Sequence, residues 1–291
     1  MARSLVVFAE EAGAGKTAIA GGLAQRLHNA GREPLLIRIG EASDEAAAAD
    51  ARLFGRLPFG VGETPLGLTQ AASMLGDLDD AVLVAELGAS ADPVAAAEKL
   101  DASVVSAGPI SPELREKLGS RYRGWVALGA AGDGDAPLAR LSADRVLQAP
   151  TVSDVLQSLP VTATVRFLDG NEGDLCETLL IAPISHDTGR IYFAGPHRAA
   201  VVCRDDKPEL ALSALSGSTA LLIITGGDEP LGYVTERAAG ARIPMVITPE
   251  GTVETVQRIE TTFKPRKLSH ERQLLRSAEL LEAVELDALL S

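Results

Sequence analysis

At 291 residues, 46% of them hydrophobic, the chain exceeds what one small core accommodates and predicts a globular protein of two domains. Forty acidic residues against 27 basic ones give a net charge of −13 with no basic run, which argues against a nucleic-acid or anionic-membrane surface. Cys176 and Cys203 are too few for a disulfide framework and lack metal-ligand spacing, and no apolar run reaches membrane-spanning length, so a cytoplasmic protein is expected.

Residues 5–8, LVVF, read as a parallel strand covered on both faces. It starts so near the amino terminus that no signal peptide is expected. The loop EEAGAGKT follows, then a helix with Ile19, Leu23 and Leu27 on its inward face. Gly13 and Gly15, with Ala14 between them, let successive N–H groups turn toward an anion. Lys16 adds a point charge and Thr17 a hydroxyl suited to Mg²⁺. These five residues form the expected phosphate-binding set. Glu10 stands where the usual pattern has its first glycine, and Glu11 follows. Two carboxylates beside a polyphosphate repel it unless they reach a metal or a cationic substrate, so a live loop and a structural one both stand open.

A second strand is expected at 34–39, PLLIRI, followed by an acidic, alanine-rich segment holding Asp44 and Asp50. Arg38, Asp44 and Asp50 fall near the carboxyl edge of the sheet, where ligands of open α/β sheets bind. The two aspartates are read either as water-mediated Mg²⁺ contacts or as a solvated helix face. After a loop at 59–69 and a helix at 69–78, the run 81–85 closes in Glu86, the leading metal-side candidate. Helices at 93–100 and 111–118, the latter capped by Ser111 and begun by Pro112, alternate with strands at 102–106 and 125–128. The last of these is read as the final strand of the set, with 129–137 glycine-rich and weakly structured. Such alternation implies a parallel sheet with helices on both faces.

Beyond residue 150 the pattern alternates again, with strands at 179–184, 200–203, 220–225 and 243–247 and helices at 208–215, 231–239 and 252–263. The turn Thr225-Gly226-Gly227, with Asp228 beside it, is read as an anion cradle or as a plain chain reversal. His186 and His197, with Asp187 and Arg190 between them, lack metal spacing and read as surface residues. The tail 267–290 is an amphipathic helix with leucines at 274, 275, 280 and 281. It either finishes a core or packs across a two-fold.

The stretch AEEAGAGKT resembles the phosphate loop of the dethiobiotin-synthetase-like P-loop proteins, in particular the amino-terminal region of long phosphate acetyltransferases and their stand-alone relatives. In that group the leading glycine is often replaced, and an acidic residue often stands where Glu11 stands. DARLFGRL around Asp50 resembles the group's acidic helix, AVLVAELGA its strand ending in an acid, and DRVLQAPTVSDVLQSL at 144–159 its run between domains. The second half is similar to the so-called DRTGG domain, whose name-giving residues fall on Asp206, Lys207, Thr225, Gly226 and Gly227, Lys207 replacing the arginine.

The resemblance implies a P-loop parallel sheet with helices on both faces over 1–150. A smaller α/β DRTGG-like domain with the carboxy-terminal helix follows over 151–291. Two departures stand out. Leu128 and Gly129 occupy the place where the group has an asparagine that recognises the adenine edge, and Arg38 stands where a lysine-proline pair is common. The chain ends where a phosphate acetyltransferase continues into its catalytic domain, so transacetylation is not expected.

The implied function is that of a nucleotide-binding regulatory or sensory protein with ATP, or another nucleotide, and Mg²⁺ as ligands. Thr17, Glu86 and Asp50 stand on the metal side; Glu11, Arg38, Asp206, Lys207, Thr225, Gly226 and Gly227 are candidate substrate or effector contacts. Two other classes stand beside it: an ATP-dependent enzyme of the dethiobiotin-synthetase kind, and a retired P-loop kept as a dimerising scaffold. The expected partners are a nucleotide, a second copy of the chain in a homodimer and a metabolic enzyme, with neither nucleic acid nor membrane.

Overall fold

The computed structural model describes residues 3–11, 13–75, 80–129, 136–182, 190–195, 197–264 and 267–291. The chain forms two compact units, one of Met1–Leu147 with Lys267–Ser291, the other of Gln148–Arg266. The tail that the sequence assigns to the second domain therefore belongs to the first.

The first unit holds strands β1 (Arg3–Phe8), β2 (Pro34–Ile39), β3 (Val82–Leu87), β4 (Ala102–Ala107), β5 (Tyr122–Leu128) and β6 (Ala139–Leu141). They form an all-parallel sheet in the order β2-β3-β1-β4-β5-β6. Helices α1 (Lys16–Asn29), α2 (Glu45–Phe54), α3 (Leu68–Leu75), α4 (Pro93–Lys99), α5 (Pro112–Leu118) and α6 (Arg145–Gln148) connect and flank it. The alternation along β1 shows why both faces are covered. Leu5 and Val7 enter the core built with α1 and the end of α2, whereas Val6 and Phe8 enter the core built with α3, α4 and α5. β6 extends the set past the strand read as its last. The glycine-rich segment 130–135 lies outside the described residues.

The second unit holds α7 (Val152–Ser158), β7 (Thr164–Arg166), β8 (Thr178–Ile181), α8 (Arg190–Phe193), β9 (Ala199–Arg204), α9 (Pro208–Ala214), β10 (Thr219–Thr225), α10 (Gly232–Ala241), β11 (Met245–Thr248) and α11 (Thr252–Glu260). Its sheet runs β7-β11-β10-β9-β8, parallel except for β7. Thr219–Thr225 is buried along its whole length, as its unbroken apolar run requires of a central parallel strand. The fold class is thus α/β in both units.

The chain then returns to the first unit as α12 (Glu271–Leu280) and α13 (Leu286–Leu289), two helices where the sequence suggests one. α12 lies on α1 because α1 offers it a smooth strip. A Cβ on Gly21 would fall 2.6 Å from Leu274 Cδ2, and one on Gly22 would fall 2.8 Å from both Leu281 Cδ1 and Ser277 Oγ. Arg26 closes the contact by donating to the carbonyls of Leu281 (2.8 Å) and Val284 (2.6 Å). Those carbonyls follow the last turn of α12, where a helix leaves its acceptors unpaired. Leu274 and Leu281 are fully buried in this way, Leu280 is partly buried against the same core, and Leu275 stays 42% exposed.

Candidate functional site

β1 ends in the middle of its sheet, where the strand order reverses, and the crevice beyond such a point is the usual ligand position of open α/β sheets. The loop after β1 uses two left-handed glycines, Gly13 (φ 77°) and Gly15 (φ 80°), a region that residues with a Cβ avoid. Gly15 is the N-cap of α1. It supplies no side-chain cap, and the first turn carries no acid. The opening N–H groups of a fourteen-residue helix thus keep their partial positive charge for something else. Lys16 and Thr17, both half-buried, begin that turn.

Around them lies a buried ionic cluster drawn from three elements. Thr17 Oγ1 donates to Glu86 Oε1 at 3.1 Å. Arg38 and Glu86 are register partners across β2 and β3, and Arg38 Nε lies 3.7 Å from Glu86 Oε1 and 3.2 Å from Asp50 Oδ2. Arg38 Nη1 donates to the carbonyls of Ile39 (2.6 Å) and Glu86 (3.3 Å). Glu86 is 1% exposed, and its second oxygen, Oε2, has no hydrogen bond among the described residues. Burial pushes the Glu86 carboxyl up to about 7; the Arg38 charge opposes this, Asp50 adds to it, and Lys16 and the Thr17 hydrogen bond also oppose it. Lys16 is held below the usual lysine range, chiefly by burial, with the Glu86 charge pulling the other way.

The remaining acids near the loop are accounted for one by one. Glu10 turns away from the glycines: its Oε2 accepts from Ser111 N (2.7 Å) and its Oε1 from Ser111 Oγ (2.9 Å). The carboxylate thereby satisfies the start of α5, so its charge is engaged away from the loop. Glu11 is exposed. Asp44 caps α2, accepting from Ala46 N and Ala47 N. The latter hydrogen bond is the largest reason its carboxyl sits below the usual range. Asp50 pairs with Arg38, so the structure brings Thr17 and Glu86 together and places Asp50 behind them. No group of three or more His, Cys, Asp or Glu residues able to hold a metal occurs among the described residues. Leu128 leans over the loop, and a Cβ on Gly15 would fall 2.5 Å from its Cδ1.

In the second unit, Thr225, Gly226 and Gly227 stand at the carboxyl end of β10, with φ of 113° and 90° at the two glycines. The turn's hydrogen bonds are largely taken by the chain itself. Gly226 N–H donates to the Glu250 carbonyl (3.1 Å), and Asp228 N–H donates to Asp205 Oδ2 (3.2 Å). Asp205, a residue the sequence did not single out, lies so close that any Cβ on Gly226 would collide with its carboxylate. Thr225 Oγ1 reaches Thr252 Oγ1 at 2.9 Å. Asp206 accepts from Arg204 Nε (2.9 Å) and Nη2 (2.7 Å). Lys207 is the N-cap of α9 and offers no side-chain cap.

Residues 161–262 match the DRTGG domain. The match falls wholly within the second unit and includes all five of the name-giving positions above. Among solved structures, the chain is similar to the CBS and DRTGG domains of the regulatory region of Clostridium perfringens pyrophosphatase complexed with activator, diadenosine tetraphosphate, at 14% identity and a TM-score of 0.34. That similarity covers 52% of this chain and 55% of the other, so the chain spans about half the length of that relative.

His197, within residues 161–262, has a side chain 35% exposed, with its Nδ1 3.7 Å from Glu177 Oε2. His186 and Asp187 lie outside the described residues, as does the side chain of Arg190. No helix among the described residues is long and apolar enough to cross a membrane.

Proposed function

We propose that the protein is a nucleotide-binding regulatory or sensory protein, whose first unit takes the phosphates of a nucleoside di- or triphosphate with Mg²⁺ and whose DRTGG unit transmits the occupancy. The observation that carries this reading is the pairing of an uncapped, acid-free α1 N-terminus behind Gly13 and Gly15 with the unpartnered, buried Glu86 Oε2 beside Thr17. In this reading the amides from Gly13 to Thr17 cradle the phosphates and Lys16 neutralises them.

The donor set fits Mg²⁺, a hard cation that takes one or two protein oxygens and completes its shell from phosphate and water. The Thr17 hydroxyl and Glu86 would hold it, and the bound ion would neutralise phosphate charge. Asp50 then belongs to the cluster that orients Arg38 and Glu86 rather than to the metal.

Arg38 favours regulation over phosphoryl transfer. Its guanidinium is already divided among Asp50, Glu86 and two carbonyls, which leaves it ill-placed to follow charge developing on a transferring group. Leu128 at the loop offers an apolar surface and no hydrogen bond to a base, so discrimination between bases is weak. Since tenfold in affinity corresponds to about 1.4 kcal/mol, and one neutral hydrogen bond contributes about that much, ATP and GTP should bind within about tenfold of each other.

Calorimetric titration of both nucleotides with Mg²⁺, against the full chain and Lys16→Ala, tests the site. The expected result is comparable binding of the two and a matched loss in the variant. A preference beyond a hundredfold, or unchanged binding in Lys16→Ala, overturns the assignment. Appearance of ADP at a steady turnover would move the protein to the enzyme class.

A further inference from the structure

We infer that the DRTGG unit holds a ligand site of its own, a cavity at the amino edge of its sheet that takes a small molecule through a carboxylate or phosphate group. The Thr225-Gly226-Gly227 turn lies at the opposite, carboxyl edge, and the site stands apart from the nucleotide reading of the first unit.

The cavity measures about 440 Å³, a size that small-molecule sites commonly have, and every residue lining it belongs to the second unit. It lies at the starts of three neighbouring parallel strands. Arg198 directly precedes β9, Thr219 begins β10 and Pro244 directly precedes β11. Two short connections shape its walls. The turn from α9 into β10 is so tight that a Cβ on Gly217 would fall 2.2 Å from the Phe193 carbonyl oxygen, and α10 passes into β11 through residues 242–244 alone. The segment ahead of β8 adds a third wall. Asn171 Nδ2 donates to the Arg242 carbonyl (3.3 Å), and Asp174 Oδ2 accepts from Arg198 Nη2 (2.6 Å). Leu215 and Ala220, both buried, give it apolar surface.

Two arginines line this space and a single carboxylate answers them. Arg198 gives one donor to Asp174, and its side chain makes no other hydrogen bond among the described residues. The Arg242 side chain makes no hydrogen bond or ion pair among them, and the Ser218 hydroxyl on the same wall is also unbonded. Arg242 is unusual in its backbone as well. It is the C-cap of α10 with φ 54° and ψ 39°, the left-handed state that glycine ordinarily takes at a helix end because a Cβ is strained there. Strain kept at a residue whose charged side chain has no polar partner in the fold points to a use for that side chain outside the fold. A guanidinium is a planar fork of donors that matches a carboxylate or a phosphate. α9 and α10 both finish at this edge, and their carbonyl ends supply acceptors and offset part of the positive charge. A compact ligand with one oxyanion and its own N–H or O–H donors therefore fits better than a polyanion.

The test titrates the full chain with glycerol 3-phosphate and with glycerate, which carry the two kinds of oxyanion on hydroxyl-bearing bodies, and follows backbone amide shifts by NMR for the wild type and Arg242→Gly. The expected result is saturable shifts at 217–218 and 241–243, with the tighter probe naming the oxyanion. A charge-assisted hydrogen bond corresponds to about tenfold to a hundredfold in affinity, and Arg242→Gly should lose that factor. Its urea midpoint should match or exceed the wild-type value, because glycine suits the left-handed position. No saturable shift with either probe, shifts confined to residues 13–17, or equal affinity in Arg242→Gly overturns the inference. Weaker binding together with a lowered midpoint assigns the arginine to the fold and overturns it too.

Discussion

The seam between α1 and α12 makes a prediction whose sign depends on which of two effects is larger. Alanine in place of glycine inside a helix ordinarily stabilises by about 1 kcal/mol, so Gly21→Ala and Gly22→Ala both look favourable from α1 alone. At Gly21 the new methyl meets the end of the Leu274 side chain, which can rotate, and the two effects nearly cancel. At Gly22 it meets Ser277 Oγ at 2.8 Å and the Ser277 carbonyl carbon at 3.0 Å. The second of these is helix backbone and cannot turn aside. Moving the hydroxyl would break its buried 2.7 Å bond to the Leu274 carbonyl. Either the contact stays and overpacking costs about 1–3 kcal/mol, or the hydroxyl turns away and its lost hydrogen bond costs about 1–3; set against the helix gain of about 1 kcal/mol, Gly22→Ala should destabilise by a net of up to about 2 kcal/mol. Urea denaturation followed by Trp125 fluorescence isolates the effect, because the chain's single tryptophan is buried in β5 of the first unit. A Gly22→Ala midpoint at or above the wild-type value, or one equal to that of Gly21→Ala, would refute the reasoning.

Three further outcomes are expected. Arg38→Ala leaves the Asp50 and Glu86 carboxylates without their buried cation and should cost about 3–5 kcal/mol by the same assay, with Arg38→Lys recovering little because an ammonium cannot replace the fork; a loss under about 1 kcal/mol contradicts the cluster. Glu86 has its carboxyl raised to about 7 from about 4.5, so the proton it binds on folding adds stability that is full below pH 4.5 and lost as pH rises to 7. Relative to Glu86→Gln, the metal-free wild type should therefore lose up to about 3 kcal/mol across that window, and parallel curves for the two proteins would count against it. Burial pushes both thiols, Cys176 and Cys203, up to about 12. An aromatic disulfide reagent at pH 8 should leave the native protein untouched and label both residues in urea.

The strands were legible where composition alone decides them. Residues 5–8 and 220–224 are apolar and unbroken, and 34–39 is apolar but for Arg38, as strands buried on both faces are expected to be. Gly13 and Gly15 were legible for a different reason, because only a special backbone conformation explains two glycines before Lys-Thr. β6 and β7 were not, since three residues are too few to show an alternation. Asp50 illustrates a subtler limit. Its place after a strand marked it for a metal, yet its direction is set by Arg38, and no spacing in the sequence encodes that pairing. Glu10 looked like an obstacle to phosphate until the distant Ser111 proved to be its partner. The leucines of the tail signalled a buried face without naming its mate, and the adjacent glycines at 21 and 22 in α1 were the signal that would have found it.

The discontinuity of the first unit sets a timetable for synthesis. α1 is complete within the first thirty residues, but the side chains that cover its glycine strip, Leu274, Ser277 and Leu281, are translated about 250 residues later. At roughly 5–20 residues per second this is an interval on the order of 10 to 50 s. During that time the DRTGG unit, uninterrupted from Gln148 to Arg266, has every strand it needs, while the unit begun first still lacks its lid. The second unit can thus close before the first, and until the tail emerges the Gly21–Gly22 strip of α1 is without the side chains that cover it in the finished fold.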